Sequence, residues 1–106
     1  MRNIQNTYHG IHSNETWFTV TINGVTFDPT PSLEIQNHSP DGFAWGYFGS
    51  GPAQLALAIL FEETASAEFA EKHYQLFKQQ VIAGLPNDKS WTLTSAQVQR
   101  WIDDNC

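Results

Sequence analysis

The sequence predicts a small α+β domain in which an antiparallel sheet of about three strands, drawn from the N-terminal half, packs against about three helices from the C-terminal half. Three observations carry this. Trp17–Ile22 alternates and is β-branched, and Asn23-Gly24 separates it from Val25-Thr26-Phe27. Asn-Gly between two β-formers signals a hairpin, because both residues tolerate positive φ. Leu55–Phe61 is an unbroken apolar run behind Gly51-Pro52, the pattern of a helix buried on most faces. Beyond it, Ala70, His73, Tyr74, Phe77 and Val81 recur at spacings of three and four, and Thr94–Gln97 is a T-x-x-Q capping box. Strands followed by helices indicate α+β rather than a βαβ sheet.

In chain order, Thr7–His9 is predicted as a short edge strand ending near Gly10, and Trp17–Ile22 with Val25–Phe27 as the hairpin. Asp28-Pro29-Thr30-Pro31 breaks the sheet, and Leu33–Ile35 follows as a third strand with Leu33 and Ile35 on one face. Asn37–Gly51 is an ordered loop, too aromatic for a linker. The first helix starts at Gly51-Pro52, with Gln54 at its third position if Gly51 is the cap. The second runs Ala65–Ile82 and is stopped by Gly84 and Pro86. The third opens at Thr94 and packs through Val98, Trp101 and Ile102. No internal repeat or linker divides residues 1–106, so a single domain is expected.

Composition bounds the function. A chain of 106 residues with 41% hydrophobic and 13% aromatic residues can bury a core without disulfide or metal. The net charge of −6, with only five Lys and Arg, argues against nucleic acid and anionic membranes as partners. It suits a cytoplasmic protein or one that docks on a basic surface. MRNIQNTYHG lacks the apolar core of a signal peptide, so the sequons Asn14-Glu15-Thr16 and Asn37-His38-Ser39 read as chance. Cys106, the one cysteine, is at the terminus, where nothing fixed lowers its pKa.

The unusual stretch is His38–Leu60, HSPDGFAWGYFGSGPAQLALAIL. It resembles the signature hSPxGFxWGYxGSGPxQLALAIL of an uncharacterised family of short proteins from bacteriophages and bacteria. An upstream Tyr-x-Gly (Tyr8-His9-Gly10), a downstream Tyr-x-x-Phe-Lys (Tyr74–Lys78) and the late Trp91 extend the resemblance over most of the chain. Ala44 and Phe48 stand at its variable positions. The resemblance implies a fold and a phage or mobile-element setting, with no known activity.

Read physically, Gly49, Ser50 and Gly51 precede a helix, whose free N–H groups and positive dipole end form an anion site that glycine lets a ligand approach. Phe43, Trp45, Tyr47 and Phe48 offer stacking faces, and Gln54 can orient a polar edge. The candidate ligand-binding set is therefore Phe43, Trp45, Tyr47, Gly49, Ser50, Gly51 and Gln54, suited to a nucleotide-like or anionic small molecule. The competing reading is structural: rings packed on glycine backbone, and Gly-Pro as a sharp helix start. No Walker lysine follows, no G-x-G-x-x-G follows a strand, and Gly46–Gly51 does not match G-x-S-x-G.

Other chemistry is thinner. His9, His12, His38 and His73 match no metal-ligand spacing, so no metal or other cofactor is expected. His38, Ser39 and Asp41 are close in sequence but read as a turn, Ser39-Pro40-Asp41-Gly42, better than as a catalytic triad. Glu68 and Lys72 make an exposed helix pair, and Asp103 and Asp104 end the last helix in solvent. The leading expectation is a non-enzymatic binding protein of phage or mobile-element origin that sequesters a small molecule such as a host defence signal. A protein–protein inhibitor or adaptor acting on a host partner is the second reading, with Trp91 and Trp101 as further contact residues. A small hydrolase using His38 and Asp41 is the third. Homo-oligomerisation is compatible with all three.

Overall fold

The Tyr-x-Gly segment forms an interior strand, not an edge. β1 (Thr7–Ile11) pairs antiparallel with β2 (Thr19–Ile22) on one side and with β4 (Trp91–Thr94) on the other. With β3 (Val25–Thr26) the sheet order is β3-β2-β1-β4. This is a computed structural model that describes residues 5–12 and 18–106. Trp17, the expected start of β2, and the Asn14 sequon lie outside the described residues. The Asn-Gly hairpin is present: Asn23 and Gly24 take φ of 53° and 83°, and Ile22 faces Val25. β4 was not anticipated. Its Trp-Thr-Leu-Thr alternation is short and runs straight into a helix cap, so the cap pattern masked it.

The sheet has one buried face. Tyr8, Gly10, Val20, Trp91 and Leu93 point into the core, while Thr7, His9, Thr26 and Thr92 are exposed. Gly10 is opposite Trp91, and a Cβ on Gly10 would lie 2.1 Å from the indole. Only glycine leaves room for the ring over the strand, which accounts for the glycine of the Tyr-x-Gly motif.

Leu33–Ile35 is helical, contrary to expectation: α1 spans Thr30–Ile35. The residues read as a breaker start the helix instead. The Asp28 carboxylate accepts from the Thr30 N–H at 2.9 Å, and that bond holds Asp28 below its ordinary pKa. Pro29 is the N-cap and Pro31 lies in the first turn, where a missing N–H costs nothing.

α2 (Ser50–Thr64) is the centre of the molecule, and every residue from Gly51 to Leu60 is buried. It is packed by α1, by α3 (Ala67–Phe77) with its π-helical extension Lys78–Ile82, and by α4 (Ser95–Asn105). α3 starts two residues later than Ala65, after Ser66, whose hydroxyl accepts from the Phe69 N–H. The wide turn passes the inward position from Phe77 to Ile82, both fully buried, and leaves the expected Val81 half-buried. The Thr94–Gln97 capping box forms as expected, with the Thr94 hydroxyl accepting from Gln97 N–H and the Gln97 side chain accepting from Thr94 N–H. Trp101 is half-buried, edge-on to Phe77 at 4.9 Å, and its indole N–H donates to Gln80. No helix of the described residues is long and apolar enough to cross a membrane.

Candidate functional site

The 38–54 segment divides into a buried half and an exposed half. Gln54 is 0% exposed and uses its whole amide. Its Oε1 accepts from the His38 N–H (2.8 Å) and the Ser39 N–H (3.1 Å). Its Nε2 donates to Ser32 Oγ (2.9 Å) and to the Gln36 carbonyl (3.1 Å). Two donors and two acceptors are thereby matched, which exhausts what a glutamine can make. Trp45 is buried, edge-on to Phe18 and Trp91, with its indole N–H donating to the Pro86 carbonyl at 2.9 Å. Phe43 is half-buried, with its ring 5.2 Å from that of Phe27. Gly51 is buried against Ala44, where a Cβ would come within 2.6 Å of the alanine methyl. Ser39-Pro40-Asp41-Gly42 is the expected turn, closed by the Gly42 N–H on the Ser39 carbonyl.

The outer half is Gly46–Ser50. Tyr47 is 47% exposed with its ring over Gly49, and Phe48 is 71% exposed. The structure therefore gathers Phe43, Trp45, Gly51 and Gln54 inside, and leaves Tyr47, Gly49 and Ser50 at the surface beside Phe48. Phe48 was outside the predicted site set. The sequence reading names it only as one of the stacking rings of the segment, and residues 46–49 form a bend that leaves both Tyr47 and Phe48 exposed. α2 begins at cap Gly49, not Gly51, so Gln54 occupies the fifth helical position. Of the first turn, Pro52 has no N–H, the Ala53 N–H donates to the Gly49 carbonyl, and Gly51 is buried. The anion-binding capacity of this helix start rests on exposed Ser50.

The histidines are dispersed. The His38 ring contacts the Tyr74 hydroxyl through Nε2 at 2.6 Å, while Asp41 is exposed on its turn. His9 Nδ1 meets Thr92 Oγ1 at 2.8 Å across the outer sheet face. Among the described residues no group of three His, Cys, Asp or Glu side chains is placed to hold a metal.

At the other end of α2 lies a feature the sequence reading missed. Glu63 is 1% exposed. Its Oε2 accepts from the Tyr8 hydroxyl (2.6 Å), the Ser95 hydroxyl (2.7 Å) and Asn6 Nδ2 (3.2 Å); Oε1 accepts from Gln99 Nε2 (3.2 Å). Burial, then the Glu63 hydrogen bond and charge, push the Tyr8 hydroxyl far above its ordinary value, so it stays protonated. The signal was present: Glu63 follows Ile59 by four and Leu60 by three, which places it on an inward face.

DUF6166, a family of unknown function, matches residues 8–104. The chain belongs to the DUF6166 family. That span takes in both ends of α2, from Tyr8 through the 38–54 segment to the α4 residues that hold Glu63. No curated protein and no solved structure matches this DUF6166 chain.

Proposed function

We propose that this DUF6166 protein is a non-enzymatic binding module and that the Gly46–Ser50 tip is its contact element. The observation that carries the reading is Phe48, a large aromatic at 71% exposure on a loop whose neighbours are locked inside. Trp45, Gly51 and Gln54 hold the loop on both sides, so Tyr47 and Phe48 are presented on a rigid support. Rigid aromatics lose little entropy on docking and dominate protein interfaces. The net charge of −6 steers such a tip to a basic protein surface. The occupant we favour is a protein partner, a host protein in the phage or mobile-element setting that the signature implies, with this chain acting as inhibitor or adaptor.

A second reading rests on a separate observation. Gly49 caps α2 without a side-chain hydrogen bond, and Ser50 beside it is exposed. A nucleotide-like ligand would stack its ring on Phe48 and place its anion at Ser50, and the protein would sequester it.

A photoreactive phenylalanine analogue at position 48, expressed in bacterial cells, tests the favoured reading. Position 25 serves as control, because Val25 is also exposed, at 67%, on the far sheet edge. A discrete protein adduct from position 48 and none from position 25 is expected; identical labelling from both overturns the tip as a docking element. A melting-temperature rise with a nucleotide, lost in Phe48→Ser, selects the second reading.

A further inference from the structure

We infer that the cavity over Glu63 is a binding site for a small molecule carrying a primary ammonium or guanidinium group. The cavity has a volume of about 350 Å³ and is lined by Gln5, Asn6, Thr94, Ser95, Ala96 and Gln99, among others. That volume falls at the lower end of the range for ligand pockets, roughly 300–1,000 Å³.

Three of the lining residues, Asn6, Ser95 and Gln99, are the ones that hydrogen-bond the Glu63 carboxylate. The buried charge therefore lies immediately beneath the cavity wall. All four of its donors are neutral, and among the described residues none of its hydrogen bonds comes from Lys, Arg or His. Burying a carboxylate costs several kcal/mol, and neutral donors offset only part of that. The N-terminal end of α4, which supplies Ser95, adds a favourable dipole, while Glu63 is itself in the last turn of α2, where the dipole opposes it. Tyr8 and the buried α2 residues close the inner side, so the cavity is the side from which a ligand can approach the carboxylate.

The acceptor count shows where a cation would bind. A carboxylate has about four lone-pair sites, two on each oxygen. Among the described residues three donors crowd Oε2, whereas Oε1 takes only Gln99 Nε2 at 3.2 Å. The spare capacity is on Oε1, behind a half-buried glutamine that lines the cavity. A ligand N–H group displaces or joins Gln99 and forms a charge-assisted bond, about twice the strength of the neutral one. The surrounding amides and hydroxyls accept its other N–H groups, and among the described residues no basic side chain lines the cavity to repel it. The contrast with Gln54 supports the assignment: both amide atoms of that buried side chain take two hydrogen bonds each, whereas Oε1 of Glu63 takes one, from Gln99, among the described residues. The site is independent of the aromatic tip at the opposite end of α2.

The probes are agmatine and n-butylammonium, with n-butanol as the neutral counterpart, titrated into the intact 15N-labelled protein. Saturable shifts are expected at the amides of Asn6, Ser95 and Gln99 for both cations. Affinity should fall at least about tenfold in Glu63→Gln and in Ala96→Trp, as loss of one charge-assisted bond implies. Ala96→Trp fills the mouth from an exposed position and leaves all four Glu63 bonds in place, so it decides the matter if Glu63→Gln does not fold. The inference is overturned if neither cation saturates, if n-butanol produces the same shifts, or if Ala96→Trp binds as the unaltered protein does.

Discussion

The two ends of α2 solve the same problem in different ways. Each buries one polar side chain beside an otherwise apolar helix: Gln54 near the start and Glu63 near the finish. Gln54 is neutral, and its four hydrogen bonds tie α1, the following turn and α2 into one frame. Glu63 is a carboxylate held by donors from β1, α4 and the segment before β1, with one oxygen under-used. A closed polar network specifies structure, whereas an open one beneath a cavity leaves an interaction to be made. The difference teaches that burial alone does not separate a brace from a candidate site; the hydrogen-bonding capacity left on each polar atom does.

The strongest way to break the comparison is at the frame. Trp45→Ala should destabilise the protein by about 3–5 kcal/mol in denaturant unfolding, because it empties a core position and strands the Pro86 carbonyl. A loss below about 1 kcal/mol would show that the inner half of the loop is not core. Next, Gln54→Leu should cost about 2–4 kcal/mol, since it removes the acceptor of the His38 and Ser39 N–H groups and the donor to Ser32 Oγ and the Gln36 carbonyl. Glu63→Gln, which keeps shape and an acceptor, should cost less, about 1–2 kcal/mol. The reverse order would mean that Glu63 is the brace.

A pH series sharpens the Glu63 end. The Tyr8 pKa is raised above the ordinary value of 10.0, chiefly by burial and then by its bond to Glu63. Its contribution is complete below that ordinary value. Above it the unfolded chain releases the phenolic proton while the fold retains it, so stability falls as pH rises, by up to about 1.4 kcal/mol per pH unit. Tyr8→Phe should have a shallower alkaline slope than the unaltered protein; equal slopes would show that Tyr8 is not held protonated against Glu63. The smallest stability effect is expected at the tip. Phe48→Ser should change unfolding free energy by no more than about 0.5 kcal/mol while removing the position-48 contact, which separates presentation from packing.

Much of the fold was legible because its signals are local. The Asn23-Gly24 turn, the Thr94–Gln97 cap and the all-round apolar Leu55–Leu60 each depend on residues adjacent along the chain or around one helix turn. The misreadings came from longer-range decisions. Leu33–Ile35 alternates like a strand, yet Ser32, fully buried, is tied to Gln54, and that pairing favours a helix. β4 has a partner only because β1 is brought to it from more than eighty residues away. The candidate site was half legible. Glycine and aromatic spacing located the 38–54 segment, but not which of its rings face inward.

By itself the sequence determined the α+β class, the central buried helix, the hairpin, the last helix cap and the segment where unusual residues concentrate. These follow from backbone preferences and periodicity, which act within a few residues. Only the tertiary structure decided that Trp45 and Gln54 belong to the core, that Phe48 does not, and that Glu63 is buried beneath a cavity. Whether a side chain is covered, and whether its polar atoms find partners, depends on elements distant in sequence that converge in space. Tyr8, Ser95 and Gln99 around one carboxylate are that convergence, and no local pattern encodes it.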